Sequence, residues 1–259
     1  MQVTNVKFVN DKVEIVLEND SFFMSKENYI ENPIAIDSFV SEEKINYLKK
    51  QEKIIEIKME MIKLLNKKIL SESEIKKKIK ERQLSNDDTD RIVENLKRLG
   101  LINDAYFSEL LVDKLLFNKK GKLEIYKELT KNEIKNEIIE NVMGKVDEDV
   151  YRSNFCKVCE KYEKIYNKKS LKMKKQMITN KLKEYGYEDE LISSIDFKEN
   201  SDNEVSLAKI YLYKILKNKK LDLNNYENVN KIRTKLMVKG FSYDIINLAL
   251  KEVSEDETY

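Results

Sequence analysis

The chain has 259 residues, of which 37% are charged, yet its formal net charge is only +2. It contains one proline, five glycines, two cysteines and no histidine. The missing histidine excludes Ser-His-Asp and Cys-His catalysis, His-ligated zinc and the usual general base near neutral pH. The near balance of charge does not by itself announce a nucleic-acid binder.

So little proline and glycine leaves almost nothing to interrupt helices, and a chain of this length can bury a substantial core. No run approaches eighteen apolar residues, and the N-terminus lacks the charged-then-apolar profile of a secretory signal. A soluble, cytoplasmic protein without a membrane partner is expected. Lysine is strongly preferred over arginine, beside much asparagine and isoleucine. Genomic base composition therefore accounts for many of the lysines.

Residues 1–24 show a period of two. Val13, Ile15 and Leu17 alternate with more polar neighbours, and similar runs cover Val3–Phe8 and Phe22–Met24. Asn10-Asp11 and Asn19-Asp20 fall between them as turns, because Asn and Asp tolerate positive φ. These residues predict a three-stranded meander that needs a helix against one face. A connector holding Pro33 completes an N-terminal region of residues 1–40. Ser41 then reads as the N-cap of a long helix to about Lys68, with Ile45, Leu48, Ile54, Ile55, Met61, Ile62 and Leu65 as apolar positions.

Ser71 and Glu74 form a Ser-x-x-Glu capping box ahead of Ile75 and Ile79. Ser85 caps the next helix, on which Ile92, Leu96 and Leu99 share a face. Gly100 follows at a left-handed C′ position, with Leu101 packing back. Asn103 or Asp104 caps a helix carrying Tyr106, Phe107, Leu110, Leu111 and Leu115. Later helices follow the same grammar, with Gly121 opening one, Gly144 near the end of another, and Leu207, Ile210, Tyr211 and Ile215 on a third. Asp196–Asn203 is the expected flexible joint.

A short phrase recurs four times. Its clearest copies are Leu182–Tyr187 followed by Leu191-Ile192, and Leu236–Phe241 followed by Ile245-Ile246. The apolar residue after the glycine position is Leu84, Ile134, Tyr187 and Phe241, at steps of 50, 53 and 54 residues. That period predicts an array of stacked units, each needing a neighbour to cover an apolar face. The expected fold is mainly α, with tandem three-helix repeats in a curved solenoid behind the small meander. The expected units are 41–103, 104–147, 148–198 and 199–259.

The string Gly100-Leu101-Ile102-Asn103-Asp104-Ala105-Tyr106-Phe107 resembles the junction between the first two repeats of RecX regulatory proteins. Lys120-Gly121, Glu128-Leu129 and the closing Lys239-Gly240-Phe241-Ser242-Tyr243-Asp244-Ile245-Ile246 resemble further phrases of that family, in order. The resemblance covers about 58–254, and the N-terminal meander is similar to the extension of longer, four-repeat members. Val238 departs from a second basic residue before Gly-Phe, and Gln83 and Glu133 stand at expected glycines. The resemblance implies a non-enzymatic modulator of the RecA recombinase, acting in homologous recombination, DNA repair and the SOS response. Such a protein binds the RecA–single-stranded-DNA filament and limits its extension or promotes its disassembly.

The candidate surface is basic. From Lys157 to Glu184 there are ten lysines (157, 161, 164, 168, 169, 172, 174, 175, 181, 183) against three glutamates (160, 163, 184), with Tyr162, Tyr166 and Tyr185 interleaved. Charge beside aromatic rings suits a polyanion with stackable bases, although a solvated helix face is the plainer explanation. Smaller clusters are Lys76-Lys77-Lys78, Lys119-Lys120-Lys122 and Lys217-Lys219-Lys220. The residues brought forward as partner or DNA contacts on a concave basic face are Lys119, Lys120, Lys122, Lys164, Lys168, Lys169, Lys172, Lys175, Lys183, Arg233 and Lys239. Gly186 and Gly240 read as helix terminators, and Tyr187 and Phe241 as core anchors. Cys156 and Cys159 lack the further ligands zinc needs and read as reduced thiols on a buried or half-buried face. No cofactor, metal or catalytic residue is expected, and the chain is expected to be a monomer. It meets single-stranded DNA through the filament, or weakly on its own. Direct nucleic-acid binding, or an adaptor role for another protein, is the alternative.

Overall fold

A computed structural model of the chain describes residues 1–197, 201–219, 223 and 225–256. Among these residues the fold is mainly helical, with one small antiparallel sheet, as its sequence predicts. The sheet is a meander of β1 (Val3–Val9), β2 (Lys12–Leu17) and β3 (Ser21–Ser25) in that order. Asn10 turns the first hairpin at φ 55°. Alternation places Val13, Ile15, Leu17, Phe22 and Met24 on one buried face, as period-two strands require.

The connector is not wholly irregular. Ser25 accepts from the Asn28 N–H and starts a short helix, α1 (Lys26–Glu31). Asn28 is fully buried, and its Nδ2 donates to the Leu48 carbonyl at 3.2 Å and to Glu52 Oε2 at 3.3 Å. That tertiary contact explains why local pattern alone passes over α1. The long helix α2 (Glu42–Leu65) has Ser41 as its N-cap. Ile45 and Leu48 cover the sheet. The helix stops at Leu65, short of Lys68, because the Leu64 carbonyl accepts both the Lys67 and Lys68 N–H groups in a closing turn.

Farther along α2, Ile57, Met61 and Leu65 join Ile75 and Ile79 of α3 (Glu72–Lys80) with Ile92, Val93 and Leu96 of α4 (Asn86–Arg98). The Ser71–Glu74 capping box and the Ser85 cap are both formed. Leu99, expected on the buried face, is instead the exposed C-cap of α4, and Val93 takes its place in the core. Gly100 sits at φ 71° and Leu101 donates back to the Leu96 carbonyl.

The remaining helices are α5 (Asp104–Phe117), α6 (Lys122–Lys131), α7 (Asn136–Gly144), α8 (Glu148–Ile165), α9 (Leu171–Glu184), α10 (Asp189–Ser193), α11 (Ser201–Lys219), α12 (Tyr226–Val238) and α13 (Tyr243–Asp256). On α5, Ser108 and Val112 are buried while Tyr106 and Leu110 are exposed. On α11, Val205, Leu207, Ala208 and Leu212 are buried whereas Ile210 is exposed. The expected joint at 196–203 lies partly outside the described residues (198–200), and 201–203 are already the first turn of α11.

The chain divides into two compact units. One comprises Met1–Leu110 and Thr130–Ile138, the other Leu111–Leu129 and Ile139–Tyr259. The second has apolar clusters of its own, these two among them. Phe155 and Val158 pack with Ile178, Leu182, Tyr187 and Ile192. Leu212 packs with Ile232, Leu236, Phe241, Ile246 and Val253. Among the described residues no helix is long and apolar enough to cross a membrane.

One backbone feature recurs with the sequence period. Gln83, Glu133, Gly186 and Gly240 follow α3, α6, α9 and α12, and all four are left-handed, at φ 59°, 58°, 82° and 88°. The two departures from glycine therefore keep the conformation that glycine takes elsewhere.

Candidate functional site

The basic residues sort by what their side chains already touch. Lys122 opens α6, forms an ion pair with Glu148 and lies 5.3 Å from the Tyr151 ring centroid. Lys183 pairs with Asp189 at 2.8 Å. Arg233 is half-buried, donates to Asn230 at 3.4 Å and Asn247 at 3.2 Å, and lies over the Tyr243 ring at 5.4 Å. Lys122 and Lys183 already have carboxylate partners, whereas Arg233 is held by two amide oxygens and a ring face while its buried Nε has no partner among the described residues.

Lys119 has a structural main chain. It is left-handed at φ 58°, its carbonyl accepts from the Tyr187 hydroxyl at 2.7 Å, and its ammonium turns back to the Phe117 carbonyl at 3.2 Å. Lys120 is half-buried, with its ammonium 4.9 Å from the Tyr185 centroid.

The corner between α8 and α9 is different. Lys164 lies in the last turn of α8, Lys168 and Lys169 in the connection, and Lys172 in the first turn of α9; all are exposed. Their ammonium groups make no ion pair among the described residues. Lys175, one turn farther, is exposed and lies 5.7 Å from the Phe197 centroid.

The fold brings a distant residue to this corner. Ser170, the N-cap of α9, donates its hydroxyl to the Lys239 carbonyl at 2.6 Å. A Cβ on neighbouring Gly240 would lie 3.4 Å from Lys172 Cβ. Lys239 therefore joins the Lys168–Lys172 set, although 67 residues separate it from Lys172. The Tyr211 hydroxyl donates to the Lys168 carbonyl at 3.3 Å, which brings α11 alongside. Lys214, one turn from Tyr211, extends the basic surface. Its signal was its spacing from Tyr211, masked by the many other lysines. Of the Lys217-Lys219-Lys220 cluster, Lys217 is exposed, and the Lys219 side chain and Lys220 lie outside the described residues.

The interleaved tyrosines are half-buried and pack on one another. Tyr162 stacks on Tyr166, with centroids 5.7 Å apart and planes 22° apart, and meets Tyr185 edge-on at 6.2 Å. The neighbouring Tyr185 hydroxyl, then burial, pushes the Tyr162 hydroxyl up to about 12. They stiffen the α8–α9 corner from beneath and offer few free ring faces.

The two thiols also separate. Cys156 is exposed, contrary to expectation, because it lies beyond the edge of the stripe that buries Phe155 and Val158. Cys159 is half-buried, and burial pushes its thiol up to about 12. Among the described residues no cluster of three or more His, Cys, Asp or Glu is placed to hold a metal.

No protein-family model matches the chain. The chain is 31% identical over 197 residues to the regulatory protein RecX of Listeria innocua, an alignment covering 74% of this chain and 72% of that one. It is 24% identical over 248 residues to the regulatory protein RecX of Lactococcus lactis, covering 93% and 92%. A crystal structure of regulatory protein RecX superposes with a TM-score of 0.64 at 18% identity, covering 75% of this chain and 98% of that one. The structure of RecX from Lactobacillus salivarius gives 0.51 at 21% identity, covering 56% and 94%. At those identities the structural likeness bears on the fold alone.

Proposed function

The chain belongs to the RecX family of regulatory proteins, and from that premise we propose that it regulates RecA by binding the RecA–single-stranded-DNA filament. In this reading it limits filament extension or promotes disassembly. The boundaries 41–103, 104–147, 148–198 and 199–259 are taken as its repeats.

The observation that supports the reading is the α8–α9 corner. Lys164, Lys168, Lys169 and Lys172 are exposed and make no ion pair among the described residues, with Lys239 beside them. Ammonium groups that are already solvated and mobile meet phosphates or acidic side chains without breaking a native contact. Each phosphate neutralised releases counterions, so affinity built this way is numerous, weak and salt-dependent. Lys122 and Lys183 contribute less, because Glu148 and Asp189 already compensate them. With Tyr162, Tyr166 and Tyr185 packed together, little ring surface is left at this corner to hold bare DNA by stacking. That favours recognition of the nucleoprotein filament over direct nucleic-acid binding.

The decisive measurement is RecA-dependent ATP hydrolysis on single-stranded DNA, with and without this protein, beside binding to the same DNA alone. A regulator changes the hydrolysis rate and binds tightly only when RecA is present. Tight binding to DNA without RecA supports the direct binder, and indifference to both leaves an adaptor.

A further inference from the structure

A groove of 360 Å³ runs between α11 and α12, lined by Tyr211, Lys214, Ile215, Thr234, Lys235, Val238 and Lys239. Its floor is apolar: Ile215 and Tyr211 are half-buried against the α11–α13 core, and Val238 is 72% exposed. A β-branched side chain left that open in a helix's last turn gains nothing for the fold. Among the described residues three lysines and no carboxylate line the groove, and the Lys168 carbonyl lies at its Tyr211 end.

We propose that this groove binds a short acidic segment of a partner protein. An apolar side chain of the segment sits against Val238 and Ile215, and its carboxylates meet Lys214 and Lys239. The charge is complementary to such a segment and to nothing neutral. The apolar floor separates it from a pure phosphate track, which would need no hydrophobic seat. A nucleobase also finds no open ring here. Tyr211 is held edge-on to Phe241 at 5.7 Å and 61°, and the Lys214 ammonium lies 5.8 Å from its centroid. The inference goes beyond the filament reading, because the chemistry of the groove stands whichever protein carries the segment.

The test uses the full chain and three labelled probes, followed by fluorescence anisotropy. One is a ten-residue peptide of Glu pairs separated by single Leu residues; the second replaces each Leu with Ser; the third is an oligothymidylate. The Leu peptide is expected to bind about tenfold tighter than the Ser peptide, and Val238→Glu is expected to abolish most of that advantage. Because Val238 is so exposed, the variant should melt like the parent. The pair Lys214→Gln and Lys239→Gln provides a second variant, which weakens the Leu peptide about fivefold or more and flattens its salt dependence.

Equal binding of the Leu and Ser peptides overturns the proposal, as does unchanged binding of the Leu peptide in both variants. Competition by oligothymidylate that is lost in Val238→Glu makes the groove a nucleic-acid surface instead. Self-association of the parent that Val238→Glu removes makes its occupant a second copy. RecA is absent and Val238→Glu leaves every lysine of the α8–α9 corner in place, so failure of the filament reading leaves this result readable.

Discussion

Gly121 and Gly186 meet backbone to backbone. The Gly121 N–H donates to the Tyr185 carbonyl at 2.7 Å, and the Leu123 N–H donates to the Gly186 carbonyl at 3.0 Å. The start of α6 is thus stitched to the end of α9. The start of α9 is stitched in turn to the end of α12, through Ser170 and the Lys239 carbonyl. At α3 the partner is Glu133, just after α6, which pairs with Lys77 at 3.1 Å, and its carboxyl is held low chiefly by that ammonium. A carboxylate often assists: Asp104 accepts from the Glu72 N–H at 2.8 Å, and Glu204 from the Leu171 N–H at 2.7 Å.

Gly186→Ala should be costly for two reasons. A Cβ there would strike the Glu124 backbone, 2.9 Å from its Cα, and the residue is left-handed. Overpacking and φ strain together predict a loss of about 3 kcal/mol. Gly100→Ala meets nothing within 4 Å and should lose only about 1 kcal/mol from its φ. Urea titration of both variants checks the contrast; equal losses would mean that the stitch contributes nothing.

Gln83→Gly should stabilise the protein. Gln83 is exposed and held at φ 59°, a conformation that disfavours a side chain by about 1–2 kcal/mol. After the greater freedom of an unfolded glycine is subtracted, a gain of about 0.5 kcal/mol remains. A melting temperature at or below the parent's contradicts this.

How much of this was legible in the chain depends on range. The caps at Ser41, Ser71 and Ser85 and the Gly100 terminus rest on contacts a few residues apart, so residue type and spacing reveal them. The left-handed turns at Gln83 and Glu133 are visible only through the fifty-residue period, since neither residue type announces them. Helix α1 escapes because its buried Asn28 is satisfied by α2. At the site, local counting exposed the lysine excess. It did not show that Glu148 neutralises Lys122, or that Lys239 folds back beside Lys172, because both depend on partners far along the chain.

The thiols should differ in reactivity. At pH 8, with ordinary cysteine near 9.0 and Cys159 pushed to about 12 by burial, a thiolate-selective reagent should label Cys156 rapidly and Cys159 slowly. The neutral buried thiol also links to stability. Its folded-state proton is held more tightly than in the unfolded chain, so its contribution is complete below pH 9 and is lost between 9 and about 12. Equal labelling rates would contradict the burial. Replacing both cysteines with Ala should cost on the order of 1 kcal/mol, nearly all of it at Cys159, and leave RecA modulation intact.

Changing Lys168, Lys169, Lys172 and Lys175 to Gln removes four charges while keeping length and helix propensity. Helicity should be unchanged and melting nearly so, with a small loss where Lys175 covers Phe197. Binding to RecA–DNA filaments should weaken, and the dependence of log affinity on log salt should become shallower. A quadruple variant that modulates RecA like the parent at every salt concentration would show that this corner is merely solvated.

The stitched helix ends have a consequence for how a polyanion can be held. Free N–H groups at a helix start form a rigid cradle for phosphate, but at α6 and α9 several of those donors are already turned toward carbonyl, carboxylate and hydroxyl oxygens of the same chain. Attraction must then come from ammonium groups at the tips of long, rotatable stems. In the proposed complex such a grip sets no fixed distance between one phosphate and the next. It can follow a charged partner whose spacing varies, keeping hold through changes of geometry that would break a cradle.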